Sequence, residues 1–148
     1  QLNDGQKSTY EDIIAGFVED DKRLQIVVLS KEDKMLVSGE YEIEQDHTIG
    51  HGFMSLIDKF SREIAKVDTD HYLMTELTVV SSMEPCVMCG MALVHSRIKR
   101  LVFVNEQKEC EGSFNELLNL TDLPINHKFE VFRYMKASNS FKALNPNP

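Results

Sequence analysis

No stretch of this 148-residue chain is apolar over anything close to the roughly 20 residues a helix needs to cross a bilayer. No membrane role is expected. The opening residues, Gln1 to Thr9, are polar, unlike the apolar core of a secretory leader. There is no initiating Met, and the chain is expected to be a fragment of a longer protein. Cysteine is scarce: there are three, an odd number, two of them in a metal-like spacing, which argues for a reducing compartment; a cytoplasmic and/or nuclear location is expected. Positive charge is also short, with 16 Lys and Arg against 24 Asp and Glu, a net of -8. Phosphates repel an acidic domain unless its basic residues are segregated, so this one is not expected to grip nucleic acid unaided. A local basic patch, or a binding module outside this stretch, stays open. Internal repeats and low-complexity segments are missing too.

What is present is an ordinary globular composition, 42% hydrophobic and 27% charged, and enough length for one domain over residues 1–148. Apolar residues at Tyr10, Ile13, Ile14 and Phe17 predict a helix from Ser8 to about Asp21, capped by Ser8 or Thr9. Leu24 to Leu29 is rich in branched residues and reads as a strand, paired across the polar turn Lys31–Lys34 with a second strand from Met35 to about Ile43. His51 to Val67 is strongly amphipathic and predicts a helix with His51 in its first turn. Further strands are predicted at Leu73–Val80, Leu101–Val104 and Phe129–Tyr134. Helices are predicted over Cys86–Ile98, with Pro85 tolerated at the start, and over Ser113–Leu120. From about Ala137 the tail is polar and expected to be mobile. Helices interspersed with strands point to a three-layer α/β domain with a mixed sheet.

The most informative pattern is Pro85-Cys86-Val87-Met88-Cys89 with His51 far upstream. Cysteines at i and i+3 of a helix share one face, and a histidine at the start of another helix can add a third ligand. Three protein ligands with a fourth position open is how a catalytic zinc is usually held. The bland reading is two buried small residues in an apolar helix. The preceding proline and the helix-start histidine favour zinc. His47 competes with His51 for the third place, but it falls in the polar run Glu44–His47, while His51 opens the helix pattern. Cys110, in the polar stretch Glu109–Glu111, reads as a bystander. Met88, Met91, Ala92 and Leu93 give the Cys86–Ile98 helix more apolar surface than one face needs, which fits either core packing or a subunit interface. Arg97, Lys99, Arg100, Lys128 and Arg133 form the notable basic groupings, either a solvated helix end or a phosphate contact.

The string from Ser81 to Ile98, with Glu84-Pro85-Cys86-x-Met88-Cys89 and Met91-Ala92-Leu93-x-His95-Ser96-Arg97-Ile98, resembles the tRNA adenosine deaminase branch of the cytidine deaminase superfamily. It is most similar to the non-catalytic subunit of the eukaryotic heterodimer that converts wobble adenosine to inosine. Further likeness lies at Gly112-Ser113-Phe114 and Asn126–Arg133, so the resemblance runs from about His47 to Arg133. It implies a cytidine deaminase-like α/β/α domain with a central mixed five-stranded sheet, and Zn2+ held by His51, Cys86 and Cys89. It also implies pairing with a catalytic deaminase subunit, contact with the tRNA anticodon arm through that complex, and an N-terminal tRNA-binding domain outside this stretch. Zinc deaminases carry His-x-Glu, the glutamate moving protons between water and base. Here that motif reads His51-Gly52-Phe53, and Phe53 has no proton to move. General acid–base work is worth roughly 10²–10⁴-fold, so the resemblance implies a subunit that is catalytically silent on its own. The rival reading is an autonomous zinc-dependent nucleoside or tRNA deaminase with a displaced proton shuttle. Glu84 adjoins the motif but also suits a structural role at the bend. Glu63 lies about three turns down the helix, too far to reach the metal.

Overall fold

A computed structural model of the chain describes residues 1–20, 22–42, 51–63, 74–106, 114, 119, 124 and 127–144. Asn3 decides where its first helix begins. The Asn3 side chain accepts the Gln6 N–H at 2.8 Å, and the Gln6 side chain accepts the Asn3 N–H at 3.1 Å, a reciprocal capping box. Helix α1 therefore spans Asp4–Ala15, starting well before the expected Ser8 and ending at Gly16 rather than near Asp21. Neither Ser8 nor Thr9 caps it; both lie inside the helix.

Strands β1 (Arg23–Leu29) and β2 (Met35–Glu42) form the expected antiparallel hairpin. Helix α2 follows at Gly52–Glu63; the remainder of the expected helix, to Val67, lies outside the described residues. Strand β3 runs from Thr78 to Met83, later than the Leu73–Val80 pattern suggested. The shift has a local cause: Leu77 donates its N–H to the Met74 carbonyl at 3.2 Å and Glu76 takes φ 67°, a turn that delays the strand. Helix α3 covers Val87–His95, shorter than Cys86–Ile98, because Cys86 is its extended N-cap and Arg97 turns left-handed at φ 59°. Strands β4 (Arg100–Asn105) and β5 (Glu130–Met135) complete the parallel part of the sheet. Of the expected helix Ser113–Leu120, Phe114 and Asn119 pair as an antiparallel bridge; its other residues lie outside the described residues.

Among the described residues the sheet has six strands rather than five, in the order β2-β1-β3-β4-β5-β6. The additional strand β6, Ser140–Ala143, comes from the tail that polarity alone marked as mobile. Asn139 adopts φ 47°, which closes a tight turn after β5, and Phe141 then packs on Tyr134 and Tyr10 with ring centroids 5.0 and 6.2 Å apart. Leu144, just after the strand, also packs on the core and donates its N–H to the Val131 carbonyl at 2.9 Å, so two apolar residues in a polar run hold the strand.

Side chains alternate across the sheet and build two cores. Ile26, Val28, Val79, Leu101, Phe103 and Val131 face one side with Phe53, Leu56 and Phe60 of α2 and Leu93 and Val94 of α3. Leu29, Val80, Val102, Val104 and Phe132 face the other with Tyr10 and Ile14 of α1. The result is the expected three-layer α/β/α arrangement. Among the described residues, no helix is long and apolar enough to cross a membrane.

Candidate metal centre

Two helix N-termini meet at one end of the sheet. Strand β3 leads through Glu84 and Pro85 to Cys86, whose extended backbone (φ -69°, ψ 172°) caps α3 and whose carbonyl accepts the Gly90 N–H at 2.8 Å. Cys89 lies in the first turn that follows. His51 holds the matching position before α2, its carbonyl accepting the Ser55 N–H at 3.0 Å. The His51 Nδ1 is 3.1 Å from Cys86 Sγ and 3.3 Å from Cys89 Sγ.

The donor set fits zinc. The three ligand atoms lie within 4.8 Å of one another, and both cysteines are buried. Tetrahedral zinc, with bonds of about 2.3 Å to sulfur and 2.0–2.1 Å to nitrogen, separates such atoms by roughly 3.5 Å. The His51 nitrogen would need to shift only a few tenths of an ångström from each sulfur to reach that spacing. The Cys86 thiol is already prepared for a cation. Hydrogen bonding to the Cys89 side chain, helped by the Cys89 backbone and the His51 imidazole, outweighs burial and holds its pKa down at about 5. Two positive helix ends favour the same thiolate.

Gly52, next to His51, packs closely against Tyr41 and Leu24, a contact that sequence reading missed. A Cβ on Gly52 would lie 2.8 Å from Leu24 Cδ2 and 2.8 Å from Tyr41 Cδ2, so any side chain there would push those neighbours aside. The Tyr41 ring also covers Gly39 on its own strand. The one available signal was a glycine placed between the histidine and the apolar face of its helix.

Phe53 is 3% exposed and belongs to the core cluster that contains Cys86 and Cys89. Glu84, the acid nearest the cysteines in sequence, is 2% exposed and accepts the Phe114 N–H at 2.7 Å, the structural role suited to the bend. Glu63 ends α2, roughly 18 Å along the helix from His51 at 1.5 Å per residue. Among the described residues, no carboxylate oxygen joins the His51, Cys86 and Cys89 group. His47 and Cys110 lie outside the described residues.

The basic residues separate. Arg100 is buried, bonded to Glu130 Oε2 at 2.6 Å through Nε and to the Tyr10 hydroxyl at 2.8 Å, which corrects its placement on a solvated or phosphate-facing surface. Arg133 pairs with Glu106 and donates to the Val104 carbonyl. Arg97, Lys99 and Lys128 are exposed. On α3, Leu93 is buried in the core while Met88 is 40% exposed, and Met54 of α2 is 37% exposed.

The family model described as the cytidine and deoxycytidylate deaminase zinc-binding region matches residues 19–105, more than half of the chain and all three candidate ligands. The chain belongs to the cytidine and deoxycytidylate deaminase family. Among its relatives is the tRNA-specific adenosine deaminase subunit tad3 of Schizosaccharomyces pombe, 39% identical over 66% of this chain and 33% of that protein. The probable inactive tRNA-specific adenosine deaminase-like protein 3 of Mus musculus is 35% identical over 57% of this chain and 24% of that protein. This deaminase-family chain thus spans about a third or less of the length of these relatives. A solved structure from work on A-to-I editing by tRNA:A34 deaminases shares the fold, with a TM-score of 0.57 and 16% identity over 74% of this chain and 81% of its own.

Proposed function

We propose that this deaminase-family chain is a zinc-binding, catalytically silent subunit of a tRNA adenosine deaminase that converts wobble adenosine to inosine. One observation carries the reading: a complete His51, Cys86 and Cys89 ligand set stands beside a buried phenylalanine, Phe53, two residues after the histidine. Zinc deaminases use a glutamate at that place as general acid and base. Two of its relatives fit the reading by name, one as a subunit and one as probably inactive.

His51, Cys86 and Cys89 would hold the ion. When bound in such a set, zinc supplies Lewis acidity and ties its ligands together. In this chain the tie matters more, because it joins the start of α2 to the start of α3. Phe53 fills the core at that junction and offers no group to carry a proton.

The catalytic groups would then come from a second deaminase chain carrying His-x-Glu, with tRNA engaged at its anticodon arm by the pair. The partly exposed Met54 and Met88, on the two helices that start at the metal site, are the apolar surface offered to that partner. Residues 1–148 form a single domain, working in the cytoplasm, the nucleus or both, where its thiols stay reduced.

The test is direct. The purified chain at saturating zinc is given adenosine, cytidine or anticodon-loop RNA, alone and with its co-purifying deaminase partner. Inosine forms only with the partner present. Inosine or uridine formed by the chain alone would establish the autonomous enzyme instead.

A further inference from the structure

The end of α3 opposite the metal site carries a second feature that the deaminase reading does not use. A cleft of about 280 Å³ is lined by Thr75, Glu76, Arg97, Lys99, His127 and Lys128 among others. We propose that this cleft binds a backbone phosphate of RNA, a contact separate from the metal pole; its RNA source rests on the tRNA reading above.

Backbone conformation singles the cleft out. Among the described residues, four non-glycine residues have positive φ: Asp33, Glu76, Arg97 and Asn139. Asp and Asn enter that region readily because their short side chains bond locally; Glu and Arg do not. Both of the unfavourable residues line this one cleft. Arg97 follows the Ser96 C-cap of α3, the place where glycine is the usual choice. A long cation is kept there against local preference, and such strain concentrates at working sites.

Charge supplies the chemistry. Arg97 and Lys128 are exposed and make no ion pair among the described residues, and Lys99 reaches Glu76 only at 3.9 Å. Of the cleft's carboxylates, Glu130 is already held by the buried Arg100. His127 is fixed in place by its Nε2, 2.8 Å from the Ile98 carbonyl. Three exposed cations are thus gathered on a chain whose net charge is -8. An arginine beside two lysines suits a phosphate oxygen cluster. Helix α3 has nine residues, so the cleft lies roughly 13 Å of helix from the sulfurs.

The test uses the full-length protein assembled with its catalytic partner and zinc. Binding of a wobble-adenosine tRNA is measured across salt concentrations for the parent, for Lys99→Ala/Lys128→Ala and for Arg97→Gly. Loss of both lysine contacts to the one phosphate should weaken binding about tenfold and flatten the log K against log salt slope by about 0.7–0.9. Arg97→Gly should weaken binding while raising the thermal midpoint, since glycine relieves the strain, an outcome no purely structural role produces. Unchanged affinity and slope in both variants, with editing by the parent intact, overturns the cleft and leaves the subunit reading standing. A parent complex that neither binds nor edits tRNA overturns both. Inorganic phosphate that shifts the parent's melting but not the variants', with the tRNA slope unaltered, overturns RNA as the source of the anion.

Discussion

His51 Nδ1 stands 3.1 Å from Cys86 Sγ, although 35 residues of chain separate the two. Neither residue lies inside a helix; each directly precedes one. Their meeting depends on how α2 and α3 pack on one face of the sheet, so the candidate metal site reports on tertiary structure.

Zinc should therefore act as a cross-link. Elemental analysis is expected to find one zinc per chain, and none after His51→Ala or Cys89→Ala. Chelation should lower the thermal midpoint of the parent and leave those variants unmoved. At a free metal concentration a thousand times the dissociation constant, the stabilisation lost is about 4 kcal/mol. Equal midpoints with and without chelator would remove zinc from the fold's energetics.

The metal-free chain should show the Cys86 thiolate in its pH dependence. Its folded pKa is near 5 against an ordinary 9.0, a depressed acid. Between those values the unfolded chain binds the extra proton, so stability rises with pH. The contribution is fully present above about 9 and is lost as pH falls through about 5. Denaturant unfolding of the apo protein across this range checks the slope. Thiolate ultraviolet absorbance checks its origin, and Cys86→Ser should abolish both signals.

Gly52→Ala should damage the site without touching a ligand. The new Cβ meets Leu24 and Tyr41 at 2.8 Å, and overpacking of this kind typically costs about 1–3 kcal/mol. Zinc affinity should fall with stability because His51 is the neighbouring residue. Adding Tyr41→Ala should recover part of both, whereas Tyr41→Ala alone should be mildly destabilising. Strict additivity in the double variant would show that the two residues do not share the constraint.

Arg100→Met should destabilise the fold by about 3 kcal/mol, because it leaves Glu130 and the Tyr10 hydroxyl without their buried partner. Denaturant titration measures the loss. Affinity for tRNA, corrected for the folded fraction, should not change, since this guanidinium faces the core and not the surface. A selective loss of RNA binding would return Arg100 to the basic surface.

Most of the candidate site was legible because it is written in local patterns. Pro85-Cys86-x-x-Cys89 specifies a helix start with two sulfurs, and the amphipathic run after His51 specifies another. Boundaries were less legible where one side chain settles them. The Asn3–Gln6 capping box pulled α1 forward, and the left-handed Arg97 stopped α3 early. The same chain position can also be polar in sequence and buried in the fold: Arg100 reads as part of a basic cluster until Glu130, thirty residues away, is brought beside it.

By itself the sequence offered the candidate ligands, the interspersed helices and strands that imply layers, and an apolar Phe53 after the histidine, since each is read from residue identity and short-range periodicity. Tertiary structure alone decided that His51 reaches the sulfurs, that Tyr41 rides on Gly52, that the polar tail adds a sixth strand, and that Arg97, Lys99 and Lys128 share a cleft. The division is physical. Hydrogen-bonded turns and helix caps are fixed by neighbours within a few residues, whereas contacts between distant elements are fixed by how two cores pack against a sheet whose strand order no local pattern encodes.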